Sequence, residues 1–557
     1  MYTVNDEQPW AEAVVVRGNQ IVYVGDAAGT EAFVGDATQV HDLAGKMLLP
    51  GFVSGHDHLI ASNWTKAGVS LFGAASKEEV LSRIRDYAKE HPDEKFVFGY
   101  GWDTSMLGGI PTAKDLDQAV NDRPAMIFDF TIHDLWFNTN ALKAAGVTKA
   151  TKDVKPGFSY WVRDRKGNPT GVGIEVTWFD AYIAAGAWNP DVLVRASQEA
   201  LYDKAAAGGW TSVINQGLVT PNLGNLSRSL GDVEFSFALL EELDAKGELK
   251  LRTFQNLIYK NPNDAVELLV QSAVKLREKY DSDRVRALGV KIHPEGNWIT
   301  YTALMLDNYA DKKTKGQAGV SPERVAEIVL EANAKGLDVS VHTDGTSTNR
   351  TTLDAFEASI EAGHADARNS LQHYINVTPE DQERAVKLGI GINATPLWAT
   401  NWGNNMKQAR SKLGNKRIET MYQPIGYAFD AGARVSISPD VPSTTSEDSA
   451  ALIQLESAVA LVDPTNPDDE PVLDSSKAIT IEQGIKGLTI HPAWQARMED
   501  KIGTLEVGKY ADLVILEKNL FDVVATDIAD VKVVATMMDG RFTYGEAVPT
   551  STTQEAP

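Results

Sequence analysis

The sequence contains no cysteine. This absence excludes disulfides, cysteine-ligated zinc and thiol nucleophiles, and it leaves the redox compartment unreadable from thiol usage. A metal site in this chain would therefore need histidine and carboxylate ligands.

Long hydrophobic runs are also missing, and the 53 Lys and Arg residues are outnumbered by 76 Asp and Glu. No stretch approaches the ~18 consecutive apolar residues of a membrane span, and the N-terminal MYTVNDEQPW lacks the basic and apolar regions of a signal peptide. The formal net charge of -23 opposes binding to nucleic acid or to an anionic membrane. We therefore expect neither of these partners. The cytoplasm is the default location, and the periplasm or a secreted state applies if a leader was removed.

The two ends of the chain share one pattern. Residues 1–50 and 495–548 consist of short alternating apolar runs that are separated by turns rich in Gly and Asn, as in EAVVVRGN and DVKVVATMMDGRFTYGE. We predict that they combine into one composite β-sandwich. The small polar residues 549–557 are predicted to form a disordered tail.

Residues 51–494 alternate apolar strand patterns with helical patterns, which is typical of βα units. Eight candidate strands predict an α/β fold of the (β/α)8 TIM barrel class; they lie at 52–58, 211–217, 251–259, 286–296, 337–345, 369–375, 389–396 and 434–440. The gap between the first two strands, about 61–189, is too long for a barrel loop and is interpreted as an inserted α/β subdomain.

The stretch GFVSGHDHL places His56 and His58 two residues apart at the end of the first strand. Residues at this spacing point to the same side of a strand, so both imidazoles can bind one metal ion. The alternative is a pair of buried neutral histidines with hydrogen-bond partners and no metal.

Other residues that can bind metals follow the later strands. They are Lys291 in the fourth strand, His342 in the fifth, His373 in the sixth and Asp440 in the eighth. Each taken alone has a structural explanation, as a core residue or as part of a turn. Because the active site of a TIM barrel lies at the carboxyl ends of its strands, the set together predicts a metal site there.

These motifs resemble the amidohydrolase superfamily of metal-dependent hydrolases, in particular amidohydrolase family 3, the branch that includes N-substituted formamide deformylases. The resemblance covers nearly the whole chain. It rests on LLPGFVSGHDHL, the segment around His133, GNPTGVGIE with Glu175, VKIHPEG, VSVHTDG, LQHYINVTPEDQERAVKLG, SISPD and IGTLEVGKYADLVIL.

The resemblance implies one or two divalent ions, usually Zn2+, and a homodimer as the assembly. One ion would be held by His56, His58 and Asp440, and the second by His342 and His373. Lys291 would bridge the two ions after N6-carboxylation, because an ammonium group cannot bind a cation. The alternative is a mononuclear site in which Lys291 remains an amine or makes a structural ion pair.

The expected reaction is attack of a metal-activated hydroxide on a carbonyl carbon, with Asp440 moving the proton to the leaving nitrogen. By the resemblance, His133 would donate a hydrogen bond to the developing oxyanion, or else only pack beside Trp136. Glu175 and His293 are candidate substrate contacts, with structural roles as their alternatives.

The substrate is expected to be a small neutral molecule with an amide, formamide, carbamate or N-acyl C–N bond, because no Arg cluster is placed to bind an anion. Five tryptophans are predicted to line its pocket, namely Trp64, Trp102, Trp136, Trp398 and Trp402; the alternative is that they attach the subdomain to the barrel. Three other functions remain open: a lactonase or esterase, a deaminase, and a catalytically silent metal-binding protein.

Overall fold

A computed structural model describes residues 1–60, 63–466 and 468–546 of the chain, so the predicted tail at 549–557 lies outside the described residues. Its largest sheet has eight strands, each paired in parallel with its neighbours in sequence. In chain order the strands are β1 (Phe52–Asp57), β2 (Trp210–Asn215), β3 (Arg252–Tyr259), β4 (Val285–Ile292), β5 (Asp338–His342), β6 (Ser370–Gln372), β7 (Gly391–Ala394) and β8 (Val435–Ile437).

The first and last strands of this sheet lie side by side. A Cβ atom added to Gly55 on β1 would be 2.4 Å from Ser436 Oγ on β8. Just beyond the strand ends, the His58 amide donates to the Val441 carbonyl at 2.9 Å, and the Val441 amide donates to Asp57 Oδ1 at 2.7 Å. The sheet is therefore a nearly closed parallel barrel, which agrees with the predicted TIM-barrel class.

Helices cover the outside of the barrel because their apolar faces pack on buried strand residues such as Val290 and Leu371 in one continuous core. Two of them begin at a capping hydroxyl, since Ser321 and Thr378 cap helices with Pro in the first turn. The helices of this region are Pro190–Ala207, Leu226–Ala245, Val266–Lys279, Pro322–Ala334, Thr346–Glu361, Pro379–Lys387, Asn405–Leu413, Asn415–Met421, Ile425–Asp430, Ala451–Ala460, Ile481–Leu488 and Ile490–Gln495.

A second sheet lies between β1 and β2 in the chain, where the inserted α/β subdomain is predicted. Its six strands, in spatial order, are Val69–Ser70, Val97–Trp102, Ala125–Asp129, Leu135–Phe137, Pro169–Gly173 and Trp161–Arg163. The first three are parallel and the others antiparallel. The accompanying helices are Lys77–Glu90, Thr104–Leu107, Ala113–Asp117, Thr139–Ala144 and Phe179–Ala184.

The chain ends meet in a four-stranded antiparallel sheet with the order Arg541–Gly545, Val533–Met538, Leu513–Leu516 and Met47–Pro50. A hairpin of Ala13–Arg17 and Gln20–Gly25 packs against it, and one apolar cluster includes Ile21 from the hairpin with Leu48 and Leu513 from the sheet. Among the described residues, no helix combines the length and apolar character needed to cross a membrane.

Several barrel strands are shorter than predicted, and the reason lies in the backbone. The eighth ends at Ile437 rather than at 440, and the sixth ends at Gln372 rather than at 375. Asp440 has φ = 56° and His373 has φ = 73°, and this left-handed conformation cannot continue a strand. The predicted metal ligands on these strands therefore lie just past the strand ends.

Candidate metal centre and cavity

His56 and His58 converge with Asp440 at the carboxyl end of the barrel. Their Nε2 atoms are 3.4 Å apart and lie 3.3 Å and 3.7 Å from Asp440 Oδ1. His56 Nδ1 contacts Gln372 Oε1 at 2.7 Å, and His58 Nδ1 contacts the Gly217 carbonyl at 2.8 Å. Each Nδ1 can donate its hydrogen to an oxygen, so each Nε2 keeps a free lone pair. The two Nε2 atoms face the same point, where both could bind one metal ion.

The buried imidazoles of His56 and His58 are neutral. Burial lowers the pKa of His58 to about 3 and that of His56 well below its usual value. Neutral imidazole is the form that binds a metal ion. Burial also raises the pKa of Asp440 to about 7, although the nearby Lys291 opposes this change.

His342, His373 and Lys291 lie beside the first group. The ring centroid of His373 is 4.6 Å from that of His56 and 4.4 Å from that of His342. His342 Nε2 is 3.1 Å from the Gly296 carbonyl. The Lys291 amine is fully buried, and burial lowers its pKa to about 7 against the opposing effect of Asp440.

Three buried polar atoms at this place have no hydrogen-bond partner among the described residues: Lys291 Nζ, His373 Nδ1 and Asp440 Oδ1. Buried polar atoms normally have hydrogen-bond partners. Three neighbouring atoms without partners therefore indicate that a bound group, such as a metal ion, completes the site. The ligand atoms of His56, His58 and Asp440 lie within 4.8 Å of one another. Nitrogen and carboxylate ligands at this spacing fit a divalent ion such as zinc.

His58, Lys291, His342, His373 and Asp440 form the floor of a cavity of about 1060 Å3, a volume that includes the space at its open mouth. Its wall is mainly apolar and combines residues from the inserted subdomain with residues from loops after the barrel strands. Side chains from this wall include Phe130, Ile132, Trp298, Ile299, Trp398 and Trp402. Such a chamber suits a small molecule with an apolar part.

Two of the five tryptophans that are predicted to line the pocket do so. Trp398 lies parallel to the His373 ring at a centroid distance of 5.6 Å, and its Nε1 donates to Thr444 Oγ1 at 3.0 Å. Trp402 contacts the Phe130 ring at 5.4 Å, which connects the barrel loop to the inserted subdomain at the cavity.

The placement of Trp64, Trp102 and Trp136 corrects the prediction that they line the pocket. All three are buried in apolar clusters of the inserted subdomain, away from the cavity wall. Each indole N–H donates to a backbone carbonyl, as when Trp136 Nε1 binds the Thr112 carbonyl at 2.8 Å. Burying a large ring together with a satisfied N–H stabilises this second core. Trp64 fits the alternative of attaching the subdomain to the barrel, because its Nε1 donates to the Val219 carbonyl after β2, whereas Trp102 and Trp136 lie within the subdomain itself.

The histidines predicted for the pocket line it. His293 stacks on His342 with a centroid distance of 4.1 Å, and the His133 ring lies 5.4 Å from that of His293. Glu175 is buried behind His133 and accepts a hydrogen bond from its Nδ1 at 2.8 Å. Glu175 itself does not line the cavity, so its placement corrects the prediction that it contacts the substrate and fits its structural alternative.

Sequence reasoning missed three residues of this region. Lys260 directly follows β3, lines the cavity and forms an ion pair with Glu175 Oε2 at 3.3 Å. Gln372 orients His56, and the buried Glu295 accepts hydrogen bonds from the amides of the loop after His342. Their position at strand ends is the same signal that identified Lys291, so a search of all polar residues there would have found them.

Comparisons with known proteins agree with this architecture. A family model described as "Amidohydrolase family" matches residues 39–544. The chain is 26% identical over 550 residues to Protein LONG AFTER FAR-RED 3 of Arabidopsis thaliana, over 98% of this chain and 90% of that protein. It is 25% identical over 558 residues to an N-substituted formamide deformylase of Arthrobacter pascens, over 97% of this chain and 96% of that protein. A crystal structure of an uncharacterized metal-dependent hydrolase from Pyrococcus horikoshii OT3 superposes with a TM-score of 0.67 at 22% identity, over 92% of this chain and 94% of that chain.

Proposed function

The chain belongs to the amidohydrolase family, and from this premise we propose that it is a metal-dependent hydrolase of the C–N bond in neutral amides, formamides, carbamates or N-acyl compounds. The observation that carries the proposal is the convergence of His56, His58 and Asp440 on one point, where His58 and Asp440 line the cavity floor. A mainly apolar wall around such a site favours neutral substrates. The relative that is named an N-substituted formamide deformylase supports a C–N bond as the target.

In this proposal His56, His58 and Asp440 would hold one divalent ion, zinc by the chemistry of its ligands, and His342 and His373 would hold a second. Lys291, once N6-carboxylated, would supply carboxylate oxygens to this site. Its amine suits this modification because burial lowers its pKa to about 7 and Nζ has no hydrogen-bond partner among the described residues. Only a neutral amine can add to carbon dioxide, and the addition releases one proton.

The bound ions would supply Lewis acidity, which acidifies a water and polarises the substrate carbonyl. Asp440 takes the proton of the attacking water at a carboxylate oxygen and returns it to the leaving nitrogen. Its Oδ1 faces the two Nε2 atoms and would hold the ion, which leaves the other carboxylate oxygen for the proton. The wall residues Trp398 and Trp402 orient the apolar part of the substrate and exclude water.

The first test is the number of metal equivalents per chain, measured by plasma mass spectrometry, together with turnover of a panel of amides, formamides, carbamates and esters. We expect two equivalents of zinc and hydrolysis of C–N substrates. The double variant His56→Ala/His58→Ala should lose metal and turnover, whereas His91→Ala, outside the cavity, should keep both.

Other outcomes of the same test decide against parts of the proposal. One equivalent of metal would mean a mononuclear site and would remove Lys291 from the ligands. Turnover of esters or lactones alone would replace the C–N assignment. Bound metal without any turnover would favour a silent metal-binding protein.

A further inference from the structure

Lys260 places a cation in a cavity whose wall is mainly apolar. It directly follows β3, two residues after Ile258, and both side chains line the cavity. Tyr259 between them faces away, since its hydroxyl donates to the Asp264 carbonyl at 2.8 Å. Side chains two residues apart point to the same side of a strand, so the backbone of β3 directs Lys260 into the cavity.

The pairing of β3 with β4 shows how far Lys260 lies from the cavity floor. Ile258 lies opposite Lys291, and the His293 amide donates to the Tyr259 carbonyl at 2.9 Å, so the pairing continues past both strands and Lys260 lies beside His293. Two residues along parallel strands span about 7 Å. Lys260 therefore leaves the barrel one layer of side chains closer to the cavity mouth than Lys291.

The Lys260 ammonium has hydrogen-bond donors that the protein does not use. Its Nζ forms an ion pair with Glu175 Oε2 at 3.3 Å, and it has no other partner among the described residues. An ammonium group carries three N–H bonds, so at least two of them remain. Because the Lys260 side chain is only 11% exposed, these donors face the cavity rather than bulk solvent.

Glu175 holds the ammonium in place from behind the cavity wall. Its side chain is buried, and its Oε1 lies 2.8 Å from His133 Nδ1 and accepts a long hydrogen bond from Thr302 at 3.4 Å. Its backbone amide donates to Asp134 Oδ1 at 3.2 Å. A carboxylate held by these contacts orients Lys260 and balances its charge, so the ion pair itself requires no anionic ligand.

The wall next to Ile258 offers a ligand little other polarity. Ile258 packs in one apolar cluster with Trp178, Phe179 and Leu223, and all four line the cavity. Beside such a wall, one fixed hydrogen-bond donor distinguishes ligands that carry an acceptor from ligands that lack it.

We propose that Lys260 donates a hydrogen bond to a second oxygen of the substrate, a neutral carbonyl separate from the C–N bond that is cleaved, so that the enzyme favours amides and formamides whose substituent carries a carbonyl group. This inference rests on the proposed hydrolase function. Lys260 determines specificity by touching the substrate, and Glu175 is a positioning residue because it acts through Lys260. A spacing of about 7 Å between the two layers suits two carbon atoms between the cleaved bond and the second carbonyl.

The test compares kcat/KM for N-(3-oxobutyl)formamide and N-butylformamide, which differ only in the second carbonyl, in the zinc-loaded enzyme. Differences in intrinsic reactivity cancel when the ratio of the two values is compared between variants. We expect Lys260→Met/Glu175→Gln to lower this ratio by about tenfold, as for the loss of one hydrogen bond from a charged donor. Both charges are removed together because a lone buried carboxylate would destabilise the fold.

The matched control is Lys155→Met. Lys155 also joins the inserted subdomain to the barrel, since it donates to the Ala318 and Gly319 carbonyls at 2.7 Å and 2.8 Å, but it lies outside the cavity. Its ratio should equal that of the wild type. An unchanged ratio in Lys260→Met/Glu175→Gln, including an equal loss on both substrates, would overturn the proposal.

Glu175→Gln alone examines the positioning role with N-formyl-β-alanine, in which a carboxylate takes the place of the second carbonyl. Without the balancing charge, Lys260 should favour the anion, and kcat/KM for N-formyl-β-alanine relative to N-(3-oxobutyl)formamide should rise by about tenfold. An unchanged preference would show that the role assigned to Glu175 is wrong. A wild-type preference for N-formyl-β-alanine would overturn the assignment of a neutral acceptor.

A second readout does not depend on turnover. If the enzyme hydrolyses none of the three formamides, the proposed function fails, and titration calorimetry of the uncleaved compounds still examines Lys260. Tighter binding of N-(3-oxobutyl)formamide than of N-butylformamide in the wild type, lost in Lys260→Met/Glu175→Gln, supports the inference. Equal affinities, or no binding of either compound, overturn it.

Discussion

At the scale of single residues, the site depends on titratable groups that the fold has removed from water. Burial keeps His56 and His58 neutral, and it lowers the pKa of the Lys291 amine to about 7. Each group is thereby in the protonation state that metal binding or carboxylation requires. Glu175 is the contrasting case, because its two nearby partners keep it charged despite its burial.

Asp440 provides the sharpest test at this scale. The replacement Asp440→Asn preserves shape and one oxygen ligand but cannot accept a proton, so we expect metal to be retained and kcat to fall by about 10²–10⁴-fold. Metal content and kcat measured on the same sample check this. Unchanged activity would remove Asp440 from the proton transfer.

His491 links folding to pH away from the cavity. Burial lowers its pKa to about 4, and its Nδ1 lies 3.1 Å from the Val435 carbonyl of β8. Between about pH 6.5 and pH 4 the unfolded chain binds a proton that folded His491 does not. The free energy of unfolding should therefore fall on acidification, by up to about 3 kcal/mol from this group.

His491→Gln should remove this contribution, so that its stability falls less than that of the wild type over the same pH range. Urea unfolding at a series of pH values measures the difference. Parallel curves for the two proteins would show that His491 does not contribute.

At the scale of elements, the functional side chains lie at the strand ends. The residues inside each strand determine how closely the adjacent strands approach one another. Gly289 on β4 lies opposite Asp338 on β5, where an added Cβ would be 2.2 Å from the Asp338 carbonyl oxygen. This contact is with backbone, which cannot move without separating the two strands. Lys291 and His342 lie further along the same pair of strands, so their spacing depends on this close approach.

Gly289→Ala should therefore destabilise the protein by about 1–3 kcal/mol through overpacking. Gly231→Ala is the matched control, because Gly231 lies in the helix Leu226–Ala245 with no atom within 4 Å of an added Cβ. It should stabilise by about 0.5–1 kcal/mol, because alanine is the better helix former. Thermal unfolding of both variants measures the contrast, and equal effects would contradict the explanation.

At the scale of the whole molecule, buried ion pairs join the barrel to the sheet built from the chain ends. Arg252 on β3 is fully buried, donates to both oxygens of Asp512 at 2.7 Å and 3.0 Å, and donates to Asp539 at 2.9 Å. Arg284 also binds Asp539. A buried arginine of the barrel is therefore neutralised by carboxylates beside the strands of the terminal sheet.

Arg252→Met should destabilise the protein by about 3–5 kcal/mol, because it leaves buried carboxylates without their cation. Arg324→Met, which removes an exposed pair with Glu327, should cost less than about 1 kcal/mol. Urea unfolding followed by both tryptophan fluorescence and metal release measures the two effects. A small loss in Arg252→Met would mean that the terminal sheet does not depend on this connection.

The sequence alone determined the barrel class and the residues that could bind metal. Eight apolar runs alternate with amphipathic helices, and polar residues such as His56 and Asp440 stand where those runs end. Both patterns are local, so they can be read along the chain. Family motifs supplied the candidate roles of His133 and Glu175.

Only the tertiary structure decided which of these residues meet. Trp136 and Trp398 look alike in sequence, yet one completes the core of the inserted subdomain and the other lines the cavity. The contact between Glu175 and Lys260 joins the inserted subdomain to β3 across 85 positions of the chain, since they occupy positions 175 and 260. Burial, which controls the protonation of these groups, arises from packing between distant segments, and no local pattern in the sequence contains it.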